Sequence, residues 1–165
     1  MLTRNMKNAS KVSEPSPTTN TKKFKLSLQY AADFPEMPTR PQFRKWVNAA
    51  LERSAEITVR LVDEEEGRAL NRHFRGKDQA TNVLTFVYDE LQPLCGDIVL
   101  CVPVVMREAQ QQLKNLRAHY AHLTVHGVLH LQGYDHENDA EAQVMEQLET
   151  NIITRLGYAD PYHAH

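Results

Sequence analysis

The chain has 165 residues, of which 41% are hydrophobic and 24% charged, the balance of one ordinary folded domain rather than two. A formal net charge of −2 excludes bulk attraction to nucleic acid, so any contact with RNA must come from a local patch. The two cysteines, Cys95 and Cys101, sit in one extended run where they point the same way, which excludes a disulfide framework and suits a reducing compartment.

Residues 1–22 are rich in Ser, Thr, Asn and Pro and carry no apolar h-region. They predict a disordered tail, not a secretory signal. No apolar run approaches the ~18 residues of a membrane span, and the expected setting is cytoplasmic. Phe24, Leu26, Leu28 and Tyr30 alternate with polar residues and predict a half-buried strand. A helix follows, with Pro41 early and Phe43, Trp46, Val47, Ala50 and Leu51 on one face. Ile57, Val59 and Leu61 alternate as a second strand, and Asp63 with Glu66 predicts a capping box opening a helix to about Phe74, closed by Gly76.

Asn82–Tyr88 and Asp97–Val102 read as two further strands joined by a loop with Pro and Gly. Pro103 suits the first turn of a helix reaching about Leu116. A histidine-bearing helix is expected from Ala118 to about Leu131, and Asn138 with Glu141 predicts a last capping box and a helix to about Leu156. The order βαβαββααα predicts an α+β fold: a small four-stranded mixed sheet packed with five helices. It forms one domain over residues 23–160, with residues 161–165 as a short C-terminal tail.

The run from His126 to His136 carries the most chemistry. His126 and His130 are four apart on a helix, so both imidazoles share a face about 5–6 Å apart at Cβ. Gly133 can end the helix and turn His136 back toward them. Three imidazoles with an open fourth position predict a catalytic zinc-type site. His119 and His122 fall on the same helical face, but His122 and His130 are about 12 Å apart along the axis and cannot share one ion. The pair is either His122/His126 or His126/His130, and only the second adjoins Gly133 and His136. His119 and His122 are then expected behind the ligands or on the surface. The peptidase motif with this spacing has Glu after the first His; here Gly127 stands there, which removes the proton acceptor of peptide hydrolysis.

A second patch gathers Arg68, Arg72, Arg75 and Lys77, the three arginines along one helical face. A solvated basic face is the plain reading; a guanidinium fork that grips phosphate is the functional one. Asp97 is open among outer partner of a ligand, general base and surface acid.

These residues together resemble the YbeY family of bacterial endoribonucleases. The His126–His136 run carries the resemblance, with Asn71-Arg72-His73-Phe74-Arg75-Gly76-Lys77-Asp78 leading into Thr81-Asn82-Val83-Leu84-Thr85-Phe86, then Gly96-Asp97-Ile98-Val99 and Leu156-Gly157-Tyr158. It implies that His126, His130 and His136 hold one zinc-like ion, with nickel or copper as other metals suited to imidazole, and that Arg75 and His126 serve catalysis. It further implies cleavage of single-stranded RNA in 16S ribosomal RNA 3′-end maturation and ribosome quality control. Small-subunit ribosomal proteins and a ribosome-assembly GTPase are the implied partners, with no membrane. Thr85 and Val87 depart from the family's Ser and Pro. The competing readings are a peptidase or amidase, and a non-catalytic ribosome-assembly factor with a structural zinc.

Overall fold

The computed structural model describes residues 22–91 and 93–162. Four strands, β1 (Phe24–Tyr30), β2 (Ala55–Val62), β3 (Val83–Asp89) and β4 (Leu94–Cys101), combine with five helices in the order βαβαββααα. The helices are α1 (Arg40–Ala50), α2 (Glu64–Arg75), α3 (Val102–Gln111), α4 (Leu116–Leu131) and α5 (Asp139–Arg155). The sheet order is β1-β2-β4-β3; β1, β2 and β4 run parallel, and β3 pairs antiparallel with β4 at the edge. This is the mixed α+β sheet that the element order predicts.

Strand residues alternate between the two faces, and that alternation divides the helices. Leu94, Ile98 and Leu100 of β4 join Phe43 and Trp46 of α1, Val125 and Val128 of α4, and Met145 and Ile153 of α5 in the main core. Val62, Leu84, Val99 and Cys101 point the other way, toward Leu70 of α2, Phe86 of β3 and Val104 of α3. Helix α4 is the centrepiece. It buries residues on every side, as a helix does when wedged between a sheet and other helices. Both cysteines lie in β4 as free thiols, Cys101 buried.

Several boundaries and caps differ from the sequence reading. Strand β4 begins at Leu94, not Asp97, because Leu94, Cys95 and Gly96 pair with Ala55, Glu56 and Ile57 of β2. A Cβ at Gly96 would lie 2.8 Å from Leu131 Cδ2 and 2.9 Å from Phe86 O. Gly96 therefore marks a close approach inside a strand, not a loop. Helix α3 stops at Gln111, short of Leu116, in a Schellman turn: Leu113 N–H donates to Gln110 O and Lys114 N–H to Ala109 O. Leu113 takes φ 55° there, where a glycine is usual, so no residue type announced the stop. Asn115 then caps α4 by accepting from Ala118 N–H, which brings Leu116 into that helix.

The two predicted capping boxes are half made. Asp63 accepts from Glu66 N–H, but the Glu66 carboxylate is taken by the Arg60 guanidinium at 2.7 and 3.1 Å. Asn138 accepts from Glu141 N–H, while Glu141 accepts from Glu137 N–H instead. The complete box, between Thr39 and Gln42, opens α1.

The expected tail of residues 1–22 lies outside the described residues except for Lys22, whose ammonium donates to Asn48 O at 2.7 Å. Deleting residues 1–21 is expected to leave the melting temperature unchanged, because their composition offers nothing to bury. A loss of several degrees in thermal unfolding would show that the segment docks on the domain. Of the expected C-terminal tail, residues 163–165 lie outside the description, whereas Tyr162 bonds to Glu149.

Candidate metal centre

Helix α4 ends as its residues dictate. Gly133 takes φ 106°, and its N–H donates to His130 O while Tyr134 N–H donates to Leu129 O. This Schellman turn sends the chain back beside the helix. The reversal brings His136 to the pair on α4: ring centroids are 6.3 Å apart for His126 and His130, 5.5 Å for His126 and His136, and 6.1 Å for His130 and His136. Three imidazoles bound through nitrogen to one tetrahedral ion would have centroids about 5 Å apart. The triangle is thus too open to grip an ion as it stands, and among the described residues no three His, Cys, Asp or Glu side chains are placed closely enough to hold one.

The hydrogen bonds around the rings test the fit to a metal. His126 Nδ1–H donates to Glu149 Oε2 at 2.5 Å, and His130 Nδ1–H donates to the carbonyl of Tyr134 at 3.0 Å. Both partners only accept, so the proton of each neutral ring is held on Nδ1 and the lone pair falls to Nε2. An imidazole whose other nitrogen is tied to a carboxylate or carbonyl is the usual form of a metal ligand. In its chemistry, though not in its present spacing, the donor set suits a divalent ion. His126 and His130 are half-buried and His136 is exposed, so one side of the triangle is open to solvent.

His122 takes no part in the triangle. Its Nε2–H donates to Glu149 Oε1 at 2.8 Å. His119 is buried and bonds to Glu108 at 2.9 Å; burial pushes its pKa below the ordinary value, against the pull of Glu108.

Glu149 is the residue that sequence reading missed. Burial alone would push its carboxyl up, but hydrogen bonds from His122, His126 and Tyr162 outweigh that and hold it at about 2. Its signal was available: a glutamate in register with Met145, Ile152 and Ile153 on the buried face of α5 is a charge at a core position, and such a charge needs partners.

Asp97 lies on the sheet face away from α4. In β4 it alternates with Gly96 and Ile98, which meet Leu131 and Gly127 of α4, and its carboxylate accepts from the Tyr88 hydroxyl at 2.7 Å. It is no partner of the histidines. Gly127 faces the sheet too: a Cβ there would meet three atoms of Ile98 at 3.2–3.3 Å.

The basic patch is partly neutralised. Arg68 grips Asp78 with two bonds of 2.7 and 2.9 Å, and Arg72 reaches the same carboxylate at 3.3 Å. The Arg68 guanidinium holds the Asp78 carboxyl below its usual range. Among the described residues Arg75 and Lys77 have no ion-pair partner. Arg75 closes α2, where the neighbouring Phe74 packs against Phe86 of β3 at 5.1 Å. No hydrogen bond or ion pair joins Arg75 to the histidines among the described residues.

Residues 27–157 match the family described as Endoribonuclease YbeY. The chain belongs to that family. It is 66% identical over 137 residues to the Endoribonuclease YbeY of Nitrosomonas europaea, covering 83% of this chain and 84% of that one. With the Nitrosospira multiformis protein of the same name it shares 59% identity over 155 residues, covering 85% and 82%. The fold is similar to a solution structure of a Thermotoga maritima protein, with a TM-score of 0.54 and 23% identity, covering 84% of this chain and 99% of that one. Among the described residues no helix is long and apolar enough to cross a membrane.

Proposed function

We propose that this chain is a metal-dependent endoribonuclease specific for single-stranded RNA, acting in the cytoplasm in 16S ribosomal RNA 3′-end maturation and ribosome quality control. The observation that carries the reading is the triangle of His126, His130 and His136, with Nδ1 of two rings tied back and Nε2 left free. Membership of the Endoribonuclease YbeY family supplies the substrate class. His126, His130 and His136 would hold one divalent ion, and zinc suits three imidazoles, as nickel and copper also do. When bound, the ion supplies a Lewis acid for the phosphodiester. His126 is the ring at which the ligand set and the carboxylate of Glu149 meet. Small-subunit ribosomal proteins and a ribosome-assembly GTPase are the proposed partners by family resemblance. A peptidase reading finds no support at Gly127, whose side-chain direction runs into Ile98.

Metal-stripped and zinc-reconstituted protein, incubated with ribosomal RNA precursor and with a peptide library, tests this reading. Cleavage of RNA by the reconstituted protein alone is expected. Peptide cleavage without RNA cleavage would overturn it.

Arg75 is proposed as the phosphate clamp, its guanidinium free of the Asp78 network that occupies Arg68 and Arg72. Lysine keeps the charge but loses the two-pronged geometry, so Arg75→Lys is expected to cut RNA clearly more slowly and Arg75→Ala more slowly still. Both should keep the metal and the melting temperature. Weaker binding with a shallower salt slope but full cleavage at saturating RNA would assign Arg75 to backbone positioning instead. Wild-type rates in Arg75→Ala would leave it a solvated surface charge.

A further inference from the structure

Glu149 is fully buried among apolar side chains of α5, and a buried carboxylate survives only where its lone pairs are matched. Three donors converge on it. His126 Nδ1–H reaches Oε2, and His122 Nε2–H reaches Oε1. The third is the hydroxyl of Tyr162, which also donates to Oε1. Tyr162 lies beyond the residues that match the family, which end at 157. It lines a cavity together with His126, His136, Met145 and Glu146. The chain reaches it through Gly157, whose φ of 98° turns the backbone after α5, and Asp160 holds the segment by accepting from Tyr162 N–H at 2.9 Å and Thr150 Oγ1–H at 3.2 Å.

We propose that Glu149 is a positioning residue for the metal centre and that Tyr162 locks it, so that the C-terminal segment sets how tightly the histidine triangle holds its ion. Glu149 fixes both the tautomer and the rotation of the His126 ring, because a carboxylate only accepts and must be met by Nδ1–H. His122 and Tyr162 hold the carboxylate itself in place by occupying its second oxygen. Without them Glu149 could rotate away and His126 would lose its orienting partner. The inference rests on the reading of His126, His130 and His136 as the ligand set.

The test uses the full chain, stripped of metal and titrated with zinc alone against a chelating dye, beside thermal unfolding of the metal-free protein. Tyr162→Phe removes one hydroxyl from a ring 44% exposed; with His122 still donating to Oε1, it is expected to lower the melting temperature of the metal-free protein by only a few degrees while weakening zinc binding a few-fold. Glu149→Gln is expected to weaken it roughly 10- to 100-fold, the range for loss of an outer partner of a metal ligand. Nitrogen NMR of the His126 ring adds a readout that a purely structural role leaves still: an Nδ1–H tautomer in the parent and a mixture of tautomers in Glu149→Gln. If Glu149→Gln does not fold, Tyr162→Phe decides by the same two measurements. Zinc affinity within about twofold of the parent in the variants that fold, with the tautomer unchanged, would overturn the proposal while leaving the ligand set intact. A parent chain that binds no zinc, or a His130→Ala variant that binds it as well as the parent, would remove the ligand set and this inference with it.

Discussion

Replacing His130 with alanine is expected to abolish stoichiometric metal binding and to lower RNA cleavage by roughly a hundredfold or more, the scale of losing an electrostatic catalyst. His130 is held rigidly: its ring is half-buried on α4 and its Nδ1–H is tied to the Tyr134 carbonyl at 3.0 Å. Two imidazoles left behind would bind an ion far more weakly than three. The fold should persist, because His130 belongs to neither core cluster. His136→Ala should behave in the same way, since its ring centroid completes the triangle at 5.5 and 6.1 Å. His122→Ala should keep one metal per chain, because His122 Nε2 is spent on Glu149. Metal content, cleavage rate and melting temperature of the three variants decide the matter. Full stoichiometry in His136→Ala together with its loss in His122→Ala would move the site one turn back along α4.

The second large effect is expected at Gly127, and it concerns folding. A peptidase with two histidines at this spacing carries Glu at the position after the first. Here a Cβ would press on three atoms of Ile98 at 3.2–3.3 Å, and Ile98 is itself fully buried in β4. Gly127→Glu would therefore drive a carboxylate into the seam between α4 and the sheet. Overpacking and burial of an unpaired charge together should cost about 3 kcal/mol or more. For a domain of this size that is a fall in melting temperature of roughly 6–12 °C. No peptidase activity should appear, because the new carboxylate would face the sheet rather than the imidazoles. Gly127→Ala meets the same wall with a single methyl, while gaining up to about 1 kcal/mol in helix propensity, and should be the milder variant. An unchanged melting temperature in Gly127→Glu would mean that α4 can lift from β4, and would reopen the comparison with peptidases.

What the sequence determined by itself is local and periodic. Alternation at Phe24–Tyr30 and at Ile57, Val59 and Leu61 marked β1 and β2, and Asp63 and Gly76 marked the two ends of α2. The spacing of His126 and His130, followed by Gly133, identified the triangle because helical pitch and a left-handed glycine are properties of a few neighbouring residues. The end of α3 escaped because a leucine, not a glycine, takes the left-handed position. The capping boxes at Asp63 and Asn138 were only half right because Arg60 and the Glu137 amide compete for the acidic side chains. Tertiary structure alone decided which charges work together. Glu149 lies 23 residues from His126 in sequence and meets it because α4 and α5 pack side by side. Asp97, in the run Gly96–Val99, was turned to the other face of the sheet by the pleat of β4. Arg68 and Arg72, alike with Arg75 in sequence, were drawn off by Asp78. Partners of a charge depend on where distant segments pass, and periodicity carries no record of that.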